Sequence, residues 1–228
     1  MNVSILIPVY NEERYIEPVL RKVVAHAKDM EIVVVDDGSQ DQTPIILQRL
    51  AHELPVRVIT HAENRGKGAA IHTGLAEVRG TVVLIQDADL EYDPEDYPTI
   101  LKPLLQERVM VVYGSRFLGP HQASYFWHRL GNWVITNVVN LLFNASLTDV
   151  ETGYKAFRKD VLQGMVLRAK SFDFEVEFTC KLLRGGRGIF EVPISYYGRT
   201  YAEGKKITWR DGVTALAVIL RCWFDPRY

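Results

Sequence analysis

Residues 86–94 read QDADLEYDP, with Asp87, Asp89, Glu91 and Asp93 following directly on the strand-like run Thr81-Val82-Val83-Leu84-Ile85. Carboxylates crowded this closely repel one another and give folding little in return. In an extended chain, positions two apart point to the same side, which sets Asp87 beside Asp89 with Glu91 next in register. Such an all-oxygen set suits a hard divalent cation, Mg²⁺ or Mn²⁺, and Mg²⁺ usually shares its shell with substrate phosphates. A calcium-binding EF-hand loop needs Gly where Tyr92 stands and does not fit. The plainer alternative is a solvated acidic turn.

Two other strand ends carry polar groups. Val3–Ile7 leads into Pro8-Val9-Tyr10-Asn11-Glu12-Glu13, where Asn11 has the makings of a helix cap and the two glutamates suit a helix N-terminus. Glu31–Val35 ends in Asp36-Asp37-Gly38-Ser39, where nucleotide-binding α/β folds set an acid against a ribose or base. Asp-Gly is also an ordinary turn signal. No G-x-G-x-x-G follows the first strand and no G-x-x-x-x-G-K-[ST] occurs, which argues against a dinucleotide enzyme and a P-loop ATPase. Gly66-Lys67-Gly68 is short for a phosphate support and reads better as a turn into the next helix.

The elements that must position these residues alternate. Helices are expected over Glu13–Ala27, Pro44–His52 and Lys67–Val78, between strands Val3–Ile7, Glu31–Val35, Val56–Thr60 and Thr81–Ile85. This order implies right-handed βαβ units and a mostly parallel sheet flanked by helices, with ligands bound beyond the strands' carboxyl ends. Beyond Val109 the pattern loosens into a strand (Val109–Tyr113), a helix (Tyr125–Phe143), turns, short strands and a closing helix.

A chain of 228 residues fits a single α/β domain, and 47% hydrophobic residues suffice for a sizeable core. The formal net charge of −1 offers no general attraction to nucleic acid. Cys180 and Cys222 have neither metal-ligand spacing nor a disulfide framework, and no signal peptide is evident, so a cytoplasmic setting is expected. Leu130–Thr148 is uncharged and long enough to span a bilayer, but Asn137, Asn140 and Asn144 form a polar ribbon along it. Val134, Ile135, Val138, Leu141 and Leu142 take the other side, so the segment is expected to be an amphipathic helix.

Taken in order, the strand-end motifs resemble family 2 glycosyltransferases of the GT-A fold. Gly114-Ser115-Arg116-Phe117, Asp149-Val150-Glu151-Thr152-Gly153-Tyr154, Phe172-Asp173-Phe174-Glu175, Glu191-Val192-Pro193-Ile194, Arg199 and Gly204-Lys205-Lys206 extend the likeness to the dolichol- and polyprenyl-phosphate mannose synthase group. The resemblance implies one GT-A domain over 1–228, with 1–115 binding the nucleotide sugar and 116–228 the acceptor. It places Pro8, Tyr10, Glu12, Val35 and Asp37 around the nucleoside. Asp87, Ala88 and Asp89 meet the diphosphate and metal, with Glu91 a further ligand. Arg116, Arg199 and Lys205 contact phosphates, and Asp149 lies near the acceptor; Asp89, Asp149 and Arg116 form the catalytic set.

The activity implied is inverting transfer of a mannose- or glucose-like sugar from GDP-mannose or a UDP-sugar to a polyprenyl phosphate, with Mg²⁺ or Mn²⁺. Many relatives carry membrane spans after the catalytic domain. Here peripheral contact with the inner face of the cell membrane is expected instead, through Tyr125, Phe126, Trp127, Arg129 and Trp133, and through Trp209, Arg210, Arg221, Trp223 and Phe224. Transfer to a hydroxyl acceptor in polysaccharide or glycolipid synthesis, a nucleotidyltransferase and a non-catalytic binding module are the competing readings.

Overall fold

The computed structural model describes residues 1–119, 121, 126–199 and 209–224, with only the backbone of Trp209 and Arg210. The first half alternates β1 (Val3–Val9), α1 (Ile16–His26), β2 (Glu31–Asp36), α2 (Thr43–Glu53), β3 (Arg57–Thr60), α3 (Lys67–Glu77) and β4 (Val82–Ile85). Then follow α4 (Tyr97–Leu101), β5 (Val111–Ser115), α5 (Phe126–Phe143), β6 (Lys155–Arg158), α6 (Phe174–Arg184), β7 (Ile189–Pro193) and α7 (Trp209–Phe224).

The seven strands lie in the order β3-β2-β1-β4-β6-β5-β7. The first four pair in parallel and β5 pairs in parallel with β7, while β6 runs antiparallel to both neighbours. The sheet is therefore mostly parallel, as the alternating elements imply, with one antiparallel strand inserted. Every residue of β1 is buried, as the near-continuous apolar runs of a sheet covered on both faces require. Strand parity divides the core. Ile5, Ile7 and Val9 pack with α1 and α4, whereas Leu6, Val33, Val83 and Ile85 pack with α3 and α6. Gly74 of α3 allows the closest approach, since a Cβ there would strike the Leu6 side chain.

A third cluster joins α5, α6 and α7 through Ile135, Val139, Cys180, Ala215, Ile219 and Cys222, around Val150. Both cysteines are free and buried within it. Here the structure corrects part of the expected face of α5: Asn137 is exposed and Ile135, Val138 and Leu142 pack inward as expected, but other positions differ. Asn132, Ile135, Thr136 and Val139 point inward, and Leu141 and Val134 are exposed. Asn140 bonds both the amide and the carbonyl of Leu147, so it anchors a loop instead of facing water. A polar loop that needed partners overrode the apolar periodicity. The strand expected at Val109 starts two residues later, because Val109 closes a turn by donating to the Gln106 carbonyl. Among the described residues, no helix is long and apolar enough to cross a membrane.

Candidate active site

β1 lies between β2 and β4, the point where the strand order reverses, and a cavity of about 410 Å³ opens beyond the carboxyl ends of these strands. Three loops build its floor. Asn11, at φ 50°, does not cap α1: its Oδ1 accepts from the Gln40 amide and its own amide donates to Ser39 Oγ. It therefore staples the β1 loop to the β2 loop. Asp37 accepts from the amides of Arg65 and Gly66 at 3.0 and 2.7 Å, and its Oδ1 lies 2.7 Å from His61 Nδ1. This draws the loop before α3 across the sheet end. Gly66 has φ +97°, and a Cβ there would collide with the Lys170 carbonyl.

The acidic stretch leaves the sheet at Ile85 and bends, so the alternation expected of an extended chain does not govern Asp87 and Asp89. Tertiary contacts gather them instead. Lys67 Nζ lies 2.7 Å from both Asp87 and Glu175. Burial works against the charge on Lys67, but the two carboxylates outweigh it and raise its pKa. Arg199 reaches the other side, with Nη2 donating to Asp89 Oδ2 at 2.7 Å and Nη1 to Glu12 Oε2 at 3.0 Å. Its amide donates to Glu91 Oε1, whose partner oxygen accepts from Tyr196. Burial, then the charges of Glu91 and Asp87, push the Asp89 carboxyl up to about 7 against the pull of Arg199.

Arg116 meets Asp149 in a two-pronged pair, Nε to Oδ2 and Nη2 to Oδ1, both 2.7 Å. The Arg116 amide and Asn132 Nδ2 add further bonds to the same carboxylate. Burial opposes the Asp149 charge, yet Arg116 and these donors hold its pKa below the usual carboxylate range. Asp149 is fully buried and does not reach the cavity; Arg116 and Glu151 do. Beneath this loop Lys155 donates to the carbonyls of Val150 and Thr152 and sits 4.4 Å from the centre of the Tyr113 ring. Burial brings its amine down to about 8.

Of the residues that the sequence reading singled out, Pro8, Tyr10, Glu12, Asp37, Asp87, Ala88, Asp89, Glu91, Arg116 and Arg199 line one cavity. Val35 does not: it is fully buried against α3 in the sheet core. Lys205 lies outside the described residues. Lys67, Glu151 and Glu175 stand inside the quoted motifs, but sequence reasoning named none of them as a site residue. Lys67 and Glu175 gave no signal in their spacing, because their partners come from other elements.

Among the described residues, no three His, Cys, Asp or Glu side chains are grouped to cage an ion unaided. The donor set nevertheless suits a divalent cation that completes its shell with phosphate oxygens. Asp87 and Asp89 both face the cavity, and Asp89 lies in excess negative charge that a cation relieves.

The chain is about 30% identical to the dolichol-phosphate mannosyltransferase of Pyrococcus furiosus over 90% of its length, but spans only 59% of that protein. It is 31% identical to the undecaprenyl-phosphate mannosyltransferase of Micrococcus luteus, covering 96% of this chain and 92% of that one. A UDP-N-acetylglucosamine–dolichyl-phosphate N-acetylglucosaminyltransferase of Methanococcus voltae is 30% identical over 89% of this chain and 88% of that one. Among solved structures, glucosyl-3-phosphoglycerate synthase of Mycobacterium tuberculosis, in complex with Mn²⁺, UDP and phosphoglyceric acid, superposes with a TM-score of 0.77. It does so at 20% identity over 99% of this chain and 79% of that one, which is a likeness of fold. Residues 4–165 match the profile of glycosyl transferase family 2. With its strand-end acids gathered in one cavity on a GT-A sheet, the chain belongs to glycosyl transferase family 2 and is a glycosyltransferase.

Proposed function

We propose that the chain transfers a sugar from a nucleoside-diphosphate sugar, of the GDP-mannose or UDP-sugar type, to a polyprenyl phosphate, with inversion at the anomeric carbon. Residues 1–115 supply the nucleotide-sugar side and 116–228 the acceptor side. Pro8, Tyr10, Glu12 and Asp37 face the nucleoside, and Asp87 and Asp89 the diphosphate. The names of the relatives in Pyrococcus, Micrococcus and Methanococcus support a lipid phosphate as acceptor.

The observation that carries this reading is the state of Asp149. A hydroxyl nucleophile needs a general base, whereas a phosphate monoester is already ionised near neutral pH. Both oxygens of Asp149 are taken by Arg116 and Asn132 and the side chain has no access to the cavity, so it is poorly placed as a base. In the displacement, an acceptor phosphate oxygen bonds to the anomeric carbon as the bond to the diphosphate breaks, and that electron pair leaves with the nucleoside diphosphate. Asp87 and Asp89 would hold Mg²⁺ or Mn²⁺, which when bound neutralises charge on the departing diphosphate. Lys67 orients Asp87, and Arg199 orients Glu12, Asp89 and Glu91.

The cavity wall continues onto His128 and Arg129 of α5 and Asp211 and Ala215 of α7. The outer faces of these helices are apolar. Phe126, Trp127, Trp133 and Leu141 on α5, and Val213, Leu220 and Phe224 on α7, are exposed, with Trp127 at 76% and Leu141 at 82%. A lipid phosphate seated at Arg116 would send its chain out along this face. We infer that the face rests in the bilayer interface, where aromatic rings settle at headgroup level. Tyr125 lies outside the described residues, and so do the side chains of Trp209 and Arg210.

The test is incubation with GDP-mannose and UDP-sugars, Mg²⁺ or Mn²⁺, and polyprenyl phosphate. Nucleoside diphosphate and a sugar-phosphate lipid are the expected products. Pyrophosphate release, or equal transfer to unphosphorylated polyprenol, overturns the reading.

A further inference from the structure

Glu151 stands apart from the other acids of the cavity. Glu12, Asp89 and Glu91 are held by Arg199, Asp87 and Glu175 by Lys67, and Asp37 by His61 and two amides. Asp211 also has a partner. Among the described residues, Glu151 faces the same cavity with no hydrogen bond and no ion pair. Its backbone is nonetheless firmly placed, because Lys155 ties the flanking carbonyls of Val150 and Thr152. A rigidly presented, unpartnered polar group in a substrate cavity is a group left for a ligand.

Its surroundings decide which ligand chemistry it serves. Arg116 approaches from the end of β5, Lys155 from β6, Asp149 from its own loop and Glu175 from α6, while α5 and α7 present His128, Arg129 and Asp211 to the same cavity. Burial, with the charges of Asp149 and Glu175, pushes the Glu151 carboxyl up to about 7 against Arg116 and Lys155. It therefore keeps a proton to near neutrality. A protonated carboxyl donates a hydrogen bond; an ionised one repels an anion.

We propose that Glu151 binds substrate as a carboxylic acid, donating a hydrogen bond to a phosphate oxygen held beside Arg116. This rests on the proposed transfer to a lipid phosphate and adds to it a residue that donates to a substrate phosphate. The donor diphosphate offers the same oxygen chemistry, so both sources are tested.

The experiment is calorimetric titration of the wild type, Glu151→Gln and Glu151→Ala with two probes, farnesyl phosphate and UDP, from about pH 6 to 9. In the wild type, the affinity for one probe weakens about tenfold per pH unit above the carboxyl's pKa, as the competent fraction falls. Glu151→Gln, whose amide donates at every pH, holds its affinity across the range, and Glu151→Ala binds weakly throughout. The probe that responds names the phosphate. The inference is overturned if both variants keep the wild-type profile, if neither probe shows a pH-dependent affinity, or if neither binds. Loss of turnover in Glu151→Gln with unchanged binding also overturns it, since that marks a general base. Glu151 makes no bond that either substitution would break, so both variants are expected to fold. Wild-type transfer to farnesyl phosphate, assayed separately, decides the proposed function and leaves these binding profiles to decide the role of Glu151.

Discussion

Arg199 donates through Nη2 to Asp89 at 2.7 Å although 110 residues separate the two, and Nη1 of the same guanidinium reaches Glu12. A side-chain cation thus sits among the carboxylates that the sequence suggests for a metal. The acid cluster is held together by a charge from the C-terminal part of the chain.

Removing that charge should leave Asp89, Glu12 and Glu91 facing one another. Arg199→Gln is expected to lower stability by about 3–5 kcal/mol, the cost of breaking a partly buried pair from one side, reduced by whatever solvent enters. Mn²⁺ alone should then raise the melting temperature of the variant more than that of the wild type, because a ligand bound only by the native state stabilises it. Equal shifts in both proteins would mean that the ion does not bind at these carboxylates.

Asp89→Asn keeps the volume of the side chain and removes its charge. Transfer should fall by about 10²–10³-fold, the scale of losing one group that stabilises a developing charge. Circular dichroism and thermal melts should report an intact fold. Full activity of this variant, or full wild-type activity in EDTA, would remove Asp89 and its cation from the reaction.

The Asp149–Arg116 pair makes an acid-limb prediction. The folded-state pKa of Asp149 is depressed, so its contribution to stability is complete above the unfolded value of about 3.9 and is lost as pH falls through the folded pKa. Asp149→Asn should cost about 3–5 kcal/mol at neutral pH, because it strands a buried guanidinium. The variant should also lose part of the wild type's stability gain between acid and neutral pH. Urea melts across that range measure both; parallel curves for the two proteins would contradict the pairing.

The exposed rings of α5 and α7 make a third kind of test. Trp127→Ala, Trp133→Ala and Phe224→Ala should each change stability by only about 0.5 kcal/mol, since these side chains are exposed. Together they should reduce flotation with liposomes, and reduce transfer to vesicle-borne acceptor more than to a short soluble one. If the wild type never floats, or the triple variant loses both activities equally, the face does not dock on a bilayer.

Much of the scaffold was legible in the sequence. The alternation from Val3 to Ile85 rests on local periodicity, which a short window contains, and the strand-end acids follow because a parallel sheet binds ligands beyond its carboxyl ends. The ordered motifs also carried the family resemblance, which the profile match over residues 4–165 supports. The sequence alone did not determine the partners. Lys67 between Asp87 and Glu175, Arg116 on Asp149, and Arg199 across Glu12, Asp89 and Glu91 all join residues from separate elements. Arg199 and Glu12 are 187 positions apart. Only the crossover connections and the antiparallel return of β6 bring such groups together, and only that packing leaves Glu151 unpartnered while burying Asp149. The face of α5 was decided the same way: Asn132 and Asn140 turn inward because a buried carboxylate and a loop backbone required donors, a demand that hydrophobic periodicity does not record.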